Sequence, residues 1–185
     1  IALAVMLFIR EQINGSVVHK KVLGNQRFSK QVRLVDEMAI LQQHGERAAI
    51  FELQGSLFFG TSDQLFCAIE PELKSRSYII LDMRRVQSVD VTAVHVLEQI
   101  EDTLAEHGAR LIFSNLPLLP SGRDMEDYFG QVGLVKPGHH SRVFGELDEA
   151  LEWVENRILE DNNVNRMQET LLDLRDIDIF KSRRD

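Results

Sequence analysis

The sequence places its most promising functional residues in one short turn: Asp90, Val91, Thr92 and Ala93. Residues 78–81 predict a buried strand closed by Asp82, and the stretch from 90 to about 107 predicts an amphipathic helix. A helix start exposes free N–H groups and the positive end of the helix dipole, so this turn suits phosphate or another anion. We expect the Thr92 hydroxyl to be accessible there. Its phosphorylation would be favoured by the dipole and opposed by Asp90.

A simpler interpretation of the same turn stays open. Asp90 would serve only as the N-cap of the helix, and Thr92 would be an ordinary first-turn residue. The helix that follows has an apolar stripe at helical spacing, which we expect to face the core. The stripe consists of Ala93, Leu97, Ile100 and Leu104. The acidic side chains expected to face solvent are Glu98, Glu101, Asp102 and Glu106.

Signatures of enzyme chemistry are scarce. The chain has no Gly-x-Gly loop, no Walker motif and no Gly-x-Ser-x-Gly elbow. The single cysteine, Cys67, fits a structural thiol, because no histidine pairs with it in a recognisable catalytic arrangement. His139 and His140 are adjacent in a predicted loop, a spacing that favours a solvated pair over a metal site. We therefore expect a protein that is not an enzyme and has no metal.

Apolar runs alternate with amphipathic stretches along the chain. Strands are predicted at residues 17–23, 48–53, 78–81, 109–114 and 141–144, and helices at 29–44, from about 60, at 90–107, 121–132 and 147–158. This alternation implies an α/β fold with a mostly parallel sheet of four to five strands and right-handed crossovers. Ligands of such sheets usually bind in a crevice at the carboxyl ends of the strands, where the turn at Asp90 is predicted.

Three local expectations accompany this fold. Gly55 is expected to turn the chain after the second strand, and Pro71 is expected to break or shift the last turn of the next helix. In the helix predicted at 29–44, an apolar face with helical spacing should pack on the core. That face consists of Leu34, Val35, Met38 and Leu41.

Charge is distributed unevenly along the chain. The net charge of −8 argues against nucleic acid as the main partner. The segment from Arg10 to Arg33 carries +5, which leaves −13 for the remainder. This segment follows nine apolar residues, 1–9, whereas a helix needs about 20 to span a bilayer. If residues 1–9 end a membrane helix, the positive-inside rule places the rest in the cytoplasm. The alternative is a strand or helix packed on the domain core.

Residues 78–104 resemble the STAS domain, which anti-sigma-factor antagonists share with the cytoplasmic tails of SulP anion transporters. The resemblance rests on the strand at 78–82, the loop at 83–89, the four residues from Asp90 to Ala93, and the helix that contains Leu97. Three features resemble the transporter branch: LQGSLFFGT at 53–61, LDEALEW at 147–153, and the apolar residues 1–9 with their basic continuation. The resemblance covers roughly residues 17–160 and implies the STAS fold.

The resemblance also carries implications for function. In the antagonists the motif is Asp-Ser-Ser/Thr-Gly, and its third residue is the phosphoacceptor. Thr92 matches the acceptor and Asp90 the aspartate, whereas Val91 replaces serine and Ala93 replaces glycine. In a transporter, the same turn is expected to contact nucleotide, another protein or the transport domain.

On this interpretation the chain is a regulatory domain of a SulP-type transporter of sulfate, bicarbonate or a dicarboxylate, at the cytoplasmic face of the inner membrane. Its expected partners are the transmembrane domain of the same multi-pass protein, a second copy in a homodimer and a cytosolic regulatory protein, but no nucleic acid. No cofactor is expected apart from a nucleotide at the turn. The alternative is a soluble phospho-switch of the antagonist type.

The domain organisation that follows has three parts. Residues 1–13 would be the end of the last transmembrane helix, residues 14–160 the STAS domain, and residues 161–185 a connecting helix. Residues 171–180 resemble the opening of a cyclic-nucleotide-binding domain, which would follow in the full-length protein.

Overall fold

The computed structural model describes residues 16–117, 125–132, 134–135 and 141–162. Within these ranges the chain forms a five-stranded sheet with the strand order β1-β2-β3-β4-β5. The strands are Val18–Leu23, Ala48–Leu57, Tyr78–Val89, Arg110–Ser114 and Ser141–Phe144. β1 is antiparallel to β2, and every later pair of neighbours is parallel. The predicted α/β class with a mostly parallel sheet is therefore confirmed.

Five helices and one 3-10 turn, Gly45–Arg47, lie in the described part of the chain. The helices are α1 Val35–His44, α2 Phe59–Leu73, α3 Val91–Glu106, α4 Met125–Val132 and α5 Leu147–Asp161. Residues 1–15 and 163–185 lie outside the described ranges, so the membrane-helix end and nearly all of the connecting helix stay predictions. The predicted loop with His139 and His140 also lies outside them.

The sheet separates two cores. Because the strand order never reverses, right-handed crossovers place α2, α3 and α4 on one face. Their apolar side chains pack on Phe51, Leu81 and Phe113, which are completely buried. The opposite face, whose side chains alternate with these along the strands, is covered by α1 and α5. Each face of the sheet is thus sealed by helices, which leaves the strand ends as the places where polar groups can gather.

β2 and β3 extend beyond the rest of the sheet. β3 pairs with β4 only as far as Asp82, which lies opposite Ser114, but it stays paired with β2 up to Val89. The loop predicted at 83–89 is therefore wrong, because these residues continue β3 as one side of a two-stranded ribbon. With a rise of about 3.3 Å per residue, the ribbon carries the turn at Asp90 roughly 20 Å beyond the end of β4.

Gly55 lies inside β2 and does not end it. The pairing of β2 with β3 slips between Glu52 and Gln54 and again between Gly55 and Ser56. Gly55 has a φ of +76°, a conformation that a side chain disfavours. The prediction that Gly55 turns the chain after the second strand is wrong, because the strand continues through it to Leu57. The glycine lies beside a bulge whose additional residue belongs to β3.

The first helix is shorter than predicted. It begins at Val35, because the preceding segment has no regular secondary structure and binds α5 through side-chain hydrogen bonds of Ser29 and Arg33. The predicted apolar face is wrong at its first two residues. Leu34 is 66% and Val35 86% exposed, whereas Leu41 is buried.

The helices on the other face follow the sequence pattern closely. Every residue of the predicted α3 stripe is completely buried. Glu101 is the exception on the acidic side, since it is buried and not in solvent as predicted. Pro71 does not break α2, which runs on to Leu73.

Across the described ranges, we find no helix with the length and apolar character needed to cross a membrane.

Candidate functional site

The turn at the start of α3 is built around Asp90. This residue is extended, with φ −92° and ψ 173°, and forms the N-cap of the helix. Its Oδ1 accepts a hydrogen bond of 2.8 Å from the backbone N–H of Ala93. Its own N–H donates to the carbonyl of Leu57 at 2.9 Å, which ties the turn to the end of β2. Asp90 therefore has the N-cap role of the simpler interpretation, and its Oδ1 is occupied by this hydrogen bond.

Thr92 lies in the first turn of α3 and is exposed. No residue in the described part of the chain forms a hydrogen bond with its hydroxyl. The structure thus agrees with the expectation that this hydroxyl is accessible. Ala93 is completely buried, and Val91 is 62% exposed. Of the four predicted site residues, Asp90, Val91 and Thr92 are exposed and form a surface, and Ala93 is buried beneath them.

A neighbouring residue, Phe59, was not predicted as part of the site. Leu57 and Val89 are register partners at the ends of β2 and β3, so α2 and α3 begin side by side. Phe59, at the first position of α2, is 78% exposed, which is unusual for a large aromatic side chain. In the sequence, the short apolar run Leu57-Phe58-Phe59 is typical of extended chain, and this pattern does not indicate an exposed ring at a helix start. The only sequence signal was an aromatic directly before Gly60-Thr61-Ser62, whose residue types are typical of helix caps.

Hydroxyl groups stabilise the start of α2. The backbone N–H of Phe58 donates to Thr61 Oγ1 at 2.9 Å, and that hydroxyl donates to the carbonyl of Ser56 at 2.8 Å. Ser62 Oγ donates to the carbonyl of Phe58 at 2.8 Å. Both hydroxyl side chains are buried. These hydrogen bonds give Thr61 and Ser62 a role at the helix start, although the helix begins at Phe59, two residues before Thr61.

The turn does not lie in a crevice. In open α/β sheets the ligand crevice forms where the strand order reverses, and this sheet advances in one direction only. The turn instead occupies the tip of the β2–β3 ribbon. It is an exposed surface with two apolar side chains, Phe59 and Val91, one hydroxyl, Thr92, and the carboxylate of Asp90. Such a surface suits contact with another macromolecule better than enclosure of a small ligand.

The basic segment up to Arg33 is partly neutralised by carboxylates of the domain. Lys21 pairs with Glu72, Arg27 with Glu52, and Arg33 with Glu155. Burial works to raise the pKa of the Glu72 carboxyl, but hydrogen bonds and charges from Lys21 and Arg76 outweigh it and lower the pKa. These basic residues therefore hold the domain together, which their positions in the sequence did not reveal.

The described residues contain no group of three or more His, Cys, Asp or Glu side chains that could hold a metal ion. Cys67 is exposed and has a free thiol. Its position on the surface of α2 does not fit a structural thiol in the core.

The fold and the capped, exposed turn define a class of α/β domain, and the sequence comparison identifies the family. Residues 39–133 match the family model described as the STAS domain. The chain therefore belongs to the STAS-domain family. Members of this family are domains of membrane transporters and regulatory proteins such as anti-sigma factor antagonists.

Two curated proteins are similar to this chain. Glutaminase 2 of Bradyrhizobium diazoefficiens is 29% identical over 133 residues, which cover 71% of this chain and 20% of that protein. The vacuolar basic amino acid transporter VSB1 of Saccharomyces cerevisiae is 26% identical over 171 residues, which cover 86% of this chain and 16% of that protein. The chain thus spans at most a fifth of the length of these relatives.

Two solved structures share the fold. The murine anion transporter Slc26a9, in the inward-facing state, aligns with 84% of this chain and 24% of its own, with a TM-score of 0.55 and 15% identity. A Thermotoga maritima protein assigned as an anti-sigma factor antagonist aligns with 59% of this chain and 88% of its own, with a TM-score of 0.50 and 17% identity. Transporter domains and antagonists therefore have the same architecture as this chain.

Proposed function

We propose that this chain is the regulatory STAS domain of a SulP-type secondary anion transporter and lies at the cytoplasmic face of the membrane. The observation that carries the proposal is the similarity to a transporter, VSB1. It extends over 86% of the chain, whereas the family model matches only residues 39–133. The similarity therefore reaches well outside the part that all STAS domains share.

The two curated relatives also support a regulatory module without catalysis. One is a glutaminase and the other a transporter, and the shared segment is a fifth or less of each. A segment common to proteins with such different activities is better explained as an accessory domain than as the seat of either activity. The described residues fit this view, because the exposed turn has a hydroxyl and two apolar side chains in place of a catalytic constellation.

We propose that the turn acts as a docking surface for the membrane domain. Exposed Phe59 and Val91 would bury apolar area on docking, and Val91 stands where the antagonists carry serine. Two apolar side chains fit a permanent neighbour better than a reversible exchange of phosphate, which the exposed carboxylate of Asp90 also opposes. The transported anion would be selected by membrane helices outside this chain.

The test measures uptake of labelled sulfate, bicarbonate and dicarboxylates into vesicles that contain the intact protein. We expect Val91→Lys and Phe59→Lys to reduce uptake about fivefold, the change that corresponds to about 1 kcal/mol at a docking contact. The control is Val32→Lys, because Val32 is 90% exposed and lies on the other face of the sheet. Undiminished uptake in both variants would reject the docking surface, and absence of the intact protein from membranes would reject the transporter.

The second candidate is a soluble phospho-switch of the antagonist type. The observation that favours it is the exposed Thr92 hydroxyl at the start of α3. This candidate requires phosphate on Thr92 in cells, detectable by mass spectrometry and abolished by Thr92→Ala. The transporter proposal instead expects Thr92→Ala to leave uptake unchanged, with the unfolding free energy altered by no more than about 0.5 kcal/mol.

A further inference from the structure

A second feature lies at the base of the β2–β3 ribbon, where β4 ends, on the face covered by α1 and α5. Glu52, Asp82 and Ser114 are register partners on β2, β3 and β4, and their side chains point to this face. Beside them a cleft opens between the segment at 27–30, the strands β2 and β3, and the first turn of α5. It consists of two adjoining cavities, of about 280 Å³ and about 80 Å³, which share Arg27 and Arg84.

The cleft contains an equal number of charges of each sign. The cations are Arg27, Lys30, Arg84 and Arg85. The carboxylates are Glu52, Asp82, Glu146 and Asp148. Four positive and four negative groups give a net charge of zero. Among these eight, within the residues that the structure describes, one direct ion pair forms, between Arg27 and Glu52.

Backbone and amide groups donate hydrogen bonds to two of the remaining carboxylates, Asp82 and Asp148. Asp82 Oδ1 accepts from the side-chain amide of Asn115 at 2.8 Å and from the backbone N–H of Arg84 at 3.2 Å. Asp148 Oδ1 accepts from the backbone N–H of Lys30 at 3.0 Å. The ammonium of Lys30 and the guanidinium of Arg84 have no carboxylate within 4.0 Å among the described residues. The cleft therefore presents separated charges of both signs to a ligand.

This pattern selects against simple ions. A free anion would be attracted by Lys30 and Arg84 but repelled by Glu146 and Asp148, and a free cation would be repelled by Lys30 and Arg84. A molecule that carries both charges can satisfy both sides at once. The positive end of the α5 dipole is worth about half a charge, so it does not cancel the two carboxylates of Glu146 and Asp148.

The apolar part of the lining indicates what lies between the charges. Phe28, Leu147 and Leu151 line the larger cavity. Leu147 and Leu151 are buried, and Phe28 is half-buried. A volume near 300 Å³ is at the lower end of small-molecule sites, which limits the ligand to a small metabolite with a short side chain.

We propose that this cleft binds a free amino acid as a zwitterion. Its carboxylate binds Arg84 and Lys30, its ammonium binds Glu146 and Asp148, and its side chain lies against Phe28 and Leu151. The cleft joins the segment at 27–30 to α5, so a bound amino acid would fix the position of α5 relative to the sheet. This site is separate from the turn at Asp90, and it does not depend on the transporter proposal.

The experiment is titration calorimetry of the 185-residue chain with each of the twenty common amino acids, up to about 10 mM, tenfold above a Kd of about 1 mM. We expect saturable binding of at least one. The best ligand is then compared with its two matched analogues, one lacking the amino group and the other lacking the carboxylate. Leucine, for example, is matched by 4-methylpentanoate and 3-methylbutylamine. Each analogue should bind at least tenfold more weakly.

Two variants and one control locate the site. Arg84→Gln and Glu146→Gln should each weaken binding at least tenfold, and both side chains are exposed, so the fold should be retained. Arg142→Gln, on β5 beside Trp153 and outside the cleft, should stay within twofold of the parent. Circular dichroism confirms that the variants are folded.

Three results would overturn the proposal. The first is the absence of saturable heat with all twenty amino acids. The second is an analogue that binds as tightly as the amino acid, which would make the cleft a site for a simple anion or cation. The third is unchanged binding in both Arg84→Gln and Glu146→Gln.

Discussion

The tip of the β2–β3 ribbon and the cleft at its base lie along the same two parallel strands, yet they differ in chemistry. The tip exposes two apolar side chains, one hydroxyl and the carboxylate of Asp90 around a capped helix start. The cleft, roughly 20 Å away along the ribbon, holds eight charges with a net charge of zero. The same pair of strands therefore supports two different kinds of contact in one domain.

The difference follows from how each place is built. At the tip only two strands remain, so few elements are available to enclose a ligand, and the surface projects outward. At the base of the ribbon, β2 and β3 meet the start of α5 and the segment after β1, so four pieces of chain line the two adjoining cavities. A projecting surface suits a large partner, and a cleft lined from several sides suits a small one.

The largest effect is expected at the wall of the cleft. Glu155 accepts from Ser29 N and Oγ at 2.6 Å each and from Arg33 Nη2 at 2.8 Å, and the Arg33 and Glu155 side chains are only 2% and 6% exposed. Arg33→Ala leaves a buried carboxylate without its cation, which should lower the unfolding free energy by about 3–5 kcal/mol in chemical denaturation. Ligand binding in the cleft should be lost with it.

The control for this variant is Glu160→Ala, which removes the partner of Arg157 from an exposed pair and should cost at most about 1 kcal/mol. If Arg33→Ala lowers the unfolding free energy no more than the control does, the Arg33–Glu155 pair does not hold the segment at 27–34 against α5. The distinction between an anchored cleft and a projecting tip would then be contradicted.

A smaller effect is expected in the ribbon. At Gly55 an added Cβ would meet no atom within 4 Å, so Gly55→Ala tests backbone strain alone at φ +76°. We expect a loss of about 1–2 kcal/mol in the unfolding free energy, together with faster amide exchange at Asp90. Gly145→Ala is the matched control, because its φ is not left-handed and its Cβ would make only an ordinary contact at 3.5 Å. Equal effects in the two variants would show that the bulge is unstrained.

The smallest effect is expected at the tip itself. Asp90→Ala removes the hydrogen bond to the N–H of Ala93 and should cost about 1 kcal/mol by thermal or chemical unfolding. Asp90→Asn keeps an oxygen acceptor and should retain most of that stability. Neither variant should change ligand binding in the cleft. A change in binding there would show that the two regions are coupled along the ribbon.

Much of the fold could be predicted from the sequence, because its signals are local. The stripe of α3 follows helical spacing, and all four of its residues are completely buried. The apolar runs predicted the five strands, and their alternation with helices predicted the parallel sheet. The predictions fail where contact with an element distant in the sequence determines the local conformation. Residues 29–34 are not helical because α5 binds them, and residues 83–89 are not a loop because β2 pairs with them.

The functional residues divide in the same way. The sequence by itself determined the turn at Asp90, because an N-cap, a buried small residue and a helical stripe are local features. It also determined that the turn departs from the antagonist motif at Val91 and Ala93. Only the tertiary structure decided that this turn stands on a projecting ribbon, since that depends on where β4 ends relative to β3. Only the tertiary structure could assemble the cleft, because its charges come from segments more than a hundred residues apart and meet through folding alone.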